Sequence, residues 1–185
     1  MKTKEWQMDL TAVNQMSRDS FTNAFGGVFE YSPWVAEQAW QDRPFATIEE
    51  FYQAMFGAVR RAPRTQIEAL LCLHPDLAGK EAQDGNMTVN SVIEQSTAGL
   101  NSLTSGELQK MRQLNAAYRA KHQFPFIIAV RNYSKAEIFS EFERRLQNDT
   151  ATEFDNNIAQ VFNIVRMRLD RIFAEETTPL QKDAA

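Results

Sequence analysis

Among the side chains of this 185-residue chain that could carry nucleophilic or acid–base chemistry are two histidines and one cysteine. His74 closes the apolar run Leu70-Leu71-Cys72-Leu73 and is followed at once by Pro75-Asp76. A proline disfavours helical geometry in the residue before it, so a helix must stop about there. A histidine at that place is either a cap for the last helical carbonyls or a titratable group held rigidly at the edge of a core. Position alone favours the cap. His122, in the polar stretch Arg119-Ala120-Lys121-His122-Gln123, reads as surface. Cys72 could be a nucleophile, but inside its apolar run it reads as a buried small hydrophobe.

Two further groups could bind a ligand. Over residues 88–100, Val89, Val92, Ile93 and Leu100 share one helical face, and Ser91, Glu94, Gln95 and Ala98 share the other. The polar face lines either a pocket or the solvent, and Ser91 also fits the spacing of a cap. In the last helix, Phe154, Ile158, Val161, Val165 and Ile172 make one apolar stripe. Arg168 lies on its edge, while Arg166 and Arg171 point away. Arg168 must snorkel, form an internal salt bridge, or meet a small anion through a bidentate fork.

The rest of the composition narrows the class. A hydrophobic fraction of 43% and a charged fraction of 24% are ordinary for a soluble globular chain, and the length suits a single domain spanning residues 1–185. A net charge of −4 gives no broad basic footprint for nucleic acid. Neither a phosphate loop, an HExxH, nor a CxxC is present, and Gly26-Gly27 reads as a break between helices. The scattered histidines and cysteine argue against a transition-metal site. Met1–Trp6 lacks the apolar core of a secretory signal, Lys182-Asp183-Ala184-Ala185 is no peroxisomal signal, and no apolar run reaches membrane-spanning length, so the cytoplasm is the expected setting.

The elements that must position these residues are helices. Thr47-Ile48-Glu49-Glu50, Thr104-Ser105-Gly106-Glu107, Ser134-Lys135-Ala136-Glu137 and Thr150-Ala151-Thr152-Glu153 each pair an N-cap hydroxyl with a glutamate three residues on, ahead of helical periodicity. Only Phe124–Val130 looks extended, and it has no partner strand. Its backbone groups need other partners, a ligand among the candidates. The predicted fold is all-α, a single multi-helix domain of roughly seven to nine helices.

Residues and spacing stop at a helical domain with a candidate anion pocket, and a non-enzymatic binding module fits equally. Motifs carry the reading further. His74-Pro75-Asp76-Leu77-Ala78-Gly79 resembles the signature of the OHCU decarboxylases, which act on 2-oxo-4-hydroxy-4-carboxy-5-ureidoimidazoline in urate degradation. Gly26-Gly27-Val28-Phe29-Glu30-Tyr31-Ser32-Pro33-Trp34 and Arg43-Pro44-Phe45 resemble its N-terminal motifs. Ser91-Val92-Ile93-Glu94-Gln95 with Ala98-Gly99-Leu100, and Leu114-Asn115-Ala116-Ala117-Tyr118 with Phe124-Pro125-Phe126-Ile127-Ile128, resemble its later blocks. Glu143–Asn148 and Arg166–Leu169 close a similarity strongest over residues 26–169. The sequence departs at His122-Gln123, where the family commonly has Phe-Gly, and at Tyr31, where a histidine is frequent.

The resemblance implies an all-helical carboxy-lyase that needs neither metal nor organic cofactor and gives (S)-allantoin. By it His74 and Glu94 take catalytic positions. Pro75, Ser91, Gln95, Phe126, Ile127, Ile128, Ala129, Val130 and Arg168 take substrate-binding ones. It also implies a homodimer. The substrate suits cofactor-free chemistry, because the C=N bond beside its carboxyl-bearing carbon can accept the electrons that pyridoxal phosphate or thiamine supply a sink for elsewhere. A hydrolase or racemase of the same pathway is the competing enzyme reading.

Overall fold

Side-chain caps decide where most of the helices begin. The computed structural model describes residues 9–175, so Met1–Trp6 and Lys182–Ala185, read above for targeting signals, lie outside the described residues. Among those described are ten α-helices and three 3-10 turns, with no strand. They are α1 (Leu10–Gln15), α2 (Arg18–Phe25), α3 (Trp34–Ala39), α4 (Ile48–Arg61), α5 (Arg64–Cys72), α6 (Lys80–Gln83), α7 (Val89–Thr97), α8 (Ser105–His122), α9 (Lys135–Arg145) and α10 (Thr150–Glu175). The count exceeds the expectation because the chain also uses very short helices, such as the four-residue α6.

Thr104 and Ser134 form complete capping boxes with Glu107 and Glu137. Thr47 accepts from the Glu50 N–H, while the Glu50 carboxylate reaches back one residue further, to the Ala46 N–H. The box expected at Thr150 does not form. Asp149 caps α10 instead, accepting from the Thr152 N–H. Glu153 has turned inward, where a buried arginine offers it a stronger partner than an N-cap amide.

The chain divides into two units, one made of residues up to Ala62 with those from Val165 on, the other of Pro63–Ile164. The last helix contributes to both. In the first unit α3 packs on α2 and α4, and Phe21, Phe25, Phe45, Phe51, Tyr52 and Phe173 form an aromatic cluster with ring centroids 4.9–6.4 Å apart. Gly26 ends α2, as the glycine pair predicts; a Cβ there would sit 2.5 Å from the Thr22 carbonyl oxygen.

In the second unit α8 and α9 pack together around Phe126, whose ring stacks on Phe142 at 3.8 Å. α8 buries Met111, Leu114, Asn115, Tyr118 and His122. The surface expectation for His122 is therefore overturned. It lies four residues after Tyr118 on the buried face and stacks against Phe124. Cys72 corrects the other way, for it is exposed. A continuous apolar run on a helix cannot all face inward, and with Leu70 and Leu71 buried the 100° step per residue turns Cys72 and Leu73 outward.

α8 ends at Gln123, which adopts the left-handed conformation (φ 68°) and returns its N–H to the Arg119 carbonyl. Only glycine takes that conformation without strain. Gln123→Gly is expected to raise stability by about 1 kcal/mol, read as a higher urea midpoint at unchanged slope.

Candidate active site

His74 follows directly on the last turn of α5. Its N–H bonds the Leu71 carbonyl, and its ring nitrogen Nδ1 lies 3.1 Å from the Leu70 carbonyl oxygen. A carbonyl can only accept, so Nδ1 carries a proton, and whenever the ring is neutral its lone pair lies on Nε2. The cap and the acid–base readings are thus compatible. One nitrogen ties the ring to the helix end and fixes the tautomer, and the other is in the form that can take and return a proton. The residue is 6% exposed.

The loop after His74 is wound tightly by side chains from two helices. Gln95 accepts the Ala78 N–H (2.9 Å) and donates to the Asp76 carbonyl. Asn115 donates to the Leu77 carbonyl (2.9 Å), and Arg119 bonds both carboxylate oxygens of Asp76. Burial pushes the Asp76 carboxyl above its ordinary value, outweighing the pull of Arg119. Ala78 sits at φ 47°, a conformation strained for any residue with a Cβ, and the Gln95 amide holds it there.

Helix α7 is inverted relative to simple amphipathicity. Ser91, Glu94 and Gln95 are buried (5–8% exposed), whereas Val89, Val92 and Ile93 are 75%, 45% and 42% exposed. Thr88, not Ser91, is its cap. The helix packs against the 3-10 turn Val130–Asn132. The second unit thereby gathers the His74 loop, the polar face of α7 and the segment Phe126–Val130. Pro75 is half-buried within that loop. A cavity of about 430 Å³ borders Gln95 and Ala78, but Met87, Leu100 and Leu108 line it and His74 and Glu94 do not, so it is not the centre of this site. Among the described residues no group of three His, Cys, Asp or Glu side chains is placed to hold a metal ion.

Residues 125–129 lie in neither helix nor strand, Val130 opens the following 3-10 turn, and helices supply the partners of this segment. Asn157 accepts the Ile127 N–H (3.0 Å) and donates to the Pro125 carbonyl (2.8 Å); Arg145 donates to the Ile127 carbonyl (2.8 Å); Gln160 accepts the Ala129 N–H (2.9 Å). Behind them Arg145 pairs with Glu153, which also accepts from Tyr118, Asn148 and Asn156. Burial would raise Glu153, but those donors outweigh it and hold the carboxyl below its ordinary value. The reading of the sequence missed this network. Its one available signal was a glutamate at a capping position with a better-placed Asp149 just before it.

Arg168 belongs to the first unit. It is buried, donates to the Val28 carbonyl (3.0 Å) and pairs with Glu30 (2.9 Å). Of the alternatives weighed for it, the internal salt bridge is present. The motif Gly26–Trp34 thereby supplies both of these partners.

The sequence pattern of the OHCU decarboxylase family matches residues 14–170. The 2-oxo-4-hydroxy-4-carboxy-5-ureidoimidazoline decarboxylase of Xenopus laevis is 36% identical over 93% of this chain and 98% of its own. That of Haloferax volcanii is 38% identical over 92% and 99%. The crystal structure of (S)-allantoin synthase superposes with a TM-score of 0.72 at 30% identity, covering 89% of this chain and 54% of the other.

Two outcomes follow from the geometry. A Cβ at Gly79 would lie 2.7 Å from the Asp76 Cβ. Gly79→Ala is therefore expected to cost about 1–3 kcal/mol in urea unfolding, since that neighbour cannot swing aside. His122 is buried with Nδ1 on the Thr150 hydroxyl, and burial pushes its imidazole below the ordinary value of 6.5. The stability gained from its neutral form is complete above pH 6.5 and lost as pH falls from there through the lowered value. His122→Phe should lose less stability than the wild type on acidification below that point; parallel curves would refute the assignment.

Proposed function

The chain belongs to the OHCU decarboxylase family, and we propose that it converts 2-oxo-4-hydroxy-4-carboxy-5-ureidoimidazoline to (S)-allantoin without a cofactor. The observation that carries this reading is the inverted α7. Ser91, Glu94 and Gln95 turn into the second unit while three aliphatic residues of the same helix stay exposed, the arrangement of a helix that lines a polar site.

The bond between the ring carbon and its carboxylate breaks, and CO2 leaves. The electron pair moves into the ring toward the adjacent C=N, whose nitrogen takes a proton. The resulting enol gives up its hydroxyl proton as the neighbouring ring carbon is protonated on one face, for a net uptake of one proton. His74, with Nδ1–H on Leu70, relays the hydroxyl proton through Nε2. Glu94 tunes that exchange. Ser91, Gln95, Pro75 and the backbone of Phe126–Val130 hold the substrate's polar groups. The family pattern also gives Arg168 a substrate contact; that assignment rests on the pattern alone. A tight ion pair to the departing carboxylate would stabilise the ground state and slow the step, so no cation is assigned to it. The same reading makes the chain a cytoplasmic homodimer acting on a small molecule, with no nucleic-acid or membrane partner. No described helix is long and apolar enough to cross a membrane.

The test is circular dichroism at allantoin wavelengths, with substrate generated in situ from urate. Wild type should build up one enantiomer faster than the spontaneous reaction. His74→Ala should lose about a hundredfold or more in rate with far-UV helicity intact. A wild type no faster than the spontaneous decay would sink the decarboxylase and favour the binding module.

A further inference from the structure

Alternate residues of the segment 125–129 turn their backbone groups to one edge, as successive rungs of a strand do. The edge formed by Pro125, Ile127 and Ala129 is taken by Asn157, Arg145 and Gln160. The other edge belongs to Phe126 and Ile128, both buried, whose backbone groups make no hydrogen bond among the described residues. Which edge faces the helices therefore decides which edge is presented.

Resting on the decarboxylase reading, we propose that Asn157 and Gln160 are positioning residues, rungs of a surrogate strand that set how the Phe126 and Ile128 peptide groups meet the substrate ring and so which face of the ring is protonated. Asn157 is suited to this because its amide carries an acceptor and a donor together, as a peptide group does. Its orientation is not free. Arg145 Nη2 donates to the same Oδ1 at 2.7 Å, and a guanidinium has no acceptor, so the flipped amide would set N–H against N–H. Arg145 is fixed in turn by Glu153 and by the Phe126 ring, 4.5 Å beneath it. Gln160, three residues on along α10, repeats the contact at Ala129. The two side chains fix two successive rungs of one edge, which sets both the direction and the register of the segment.

Gln160 is half-buried, so its variants should fold, whereas Asn157 lies in the core. Gln160→Leu removes the acceptor for the Ala129 N–H; Gln160→Glu keeps one. Steady-state rates, the optical purity of the allantoin and the thermal midpoint are measured for both beside wild type. The expected result for Gln160→Leu is a KM raised about tenfold and a product of lower optical purity, with kcat little changed and a modestly lower midpoint because the buried Ala129 N–H loses its acceptor. Gln160→Glu should restore both KM and purity. An unchanged KM and purity in Gln160→Leu, or an equal loss in Gln160→Glu, would overturn the proposal while wild-type turnover stands. A wild type inactive on this substrate is instead a failure of the decarboxylase reading. Asn157→Asp, which keeps the acceptor for Ile127 but loses the donor to Pro125, should lower purity in the same direction.

Discussion

The ion pair of Arg145 and Glu153, with side chains 2% and 0% exposed, is the interaction on which the second unit turns. Removing two charges from water costs several kcal/mol per ion, and attraction between them offsets this only when the remaining donors and acceptors are satisfied. Here they are. Glu153 collects Arg145, Tyr118, Asn148 and Asn156, while Arg145 reaches Glu153, Asn157 and the Ile127 carbonyl. The pair ties α8, α9 and α10 to an irregular segment that has no sheet to join. Replacing it with aliphatic side chains of similar volume would suit a core alone, but it would leave the Ile127 carbonyl and the Asn157 amide without direction.

What could be read in advance was whatever depends on local spacing. The boxes at Thr104 and Ser134, the break at Gly26, the end of α5 before Pro75 and the absence of a partner strand for Phe124–Val130 all follow from propensities a few residues long. The errors arise where long-range contacts decide. His122 looked like surface because its neighbours are charged, yet the ring sits under Phe124 and beside Tyr118. Glu153 looked like the partner of Thr150 because the box spacing is right, yet Arg145, eight residues back, outcompetes a backbone amide. Cys72 was assigned by the hydrophobicity of its neighbours, when helical phase decides which of them face inward.

The site was legible to a different degree. The division of α7 into two faces is correct, but periodicity cannot say which face is inside, because hydrophobicity alone points the wrong way. His74 was legible as a helix terminator. Its tautomer was not, since that depends on a carbonyl four residues back whose direction only the folded turn defines.

Two irregular segments of the second unit are held by the same device. Gln95 and Asn115 satisfy the backbone of residues 76–78, and Asn157 and Gln160 that of residues 125–129. A carboxamide suits this task for a physical reason. It offers a donor and an acceptor without a net charge, so burying it against a peptide group incurs no ionic desolvation and satisfies both partners. Neutral amides set the direction of these two stretches of backbone, and Arg145 adds a charged donor at the Ile127 carbonyl. An all-helical chain thus obtains the directional peptide edge that other folds take from a sheet, and it does so with side chains projecting from rigid helices.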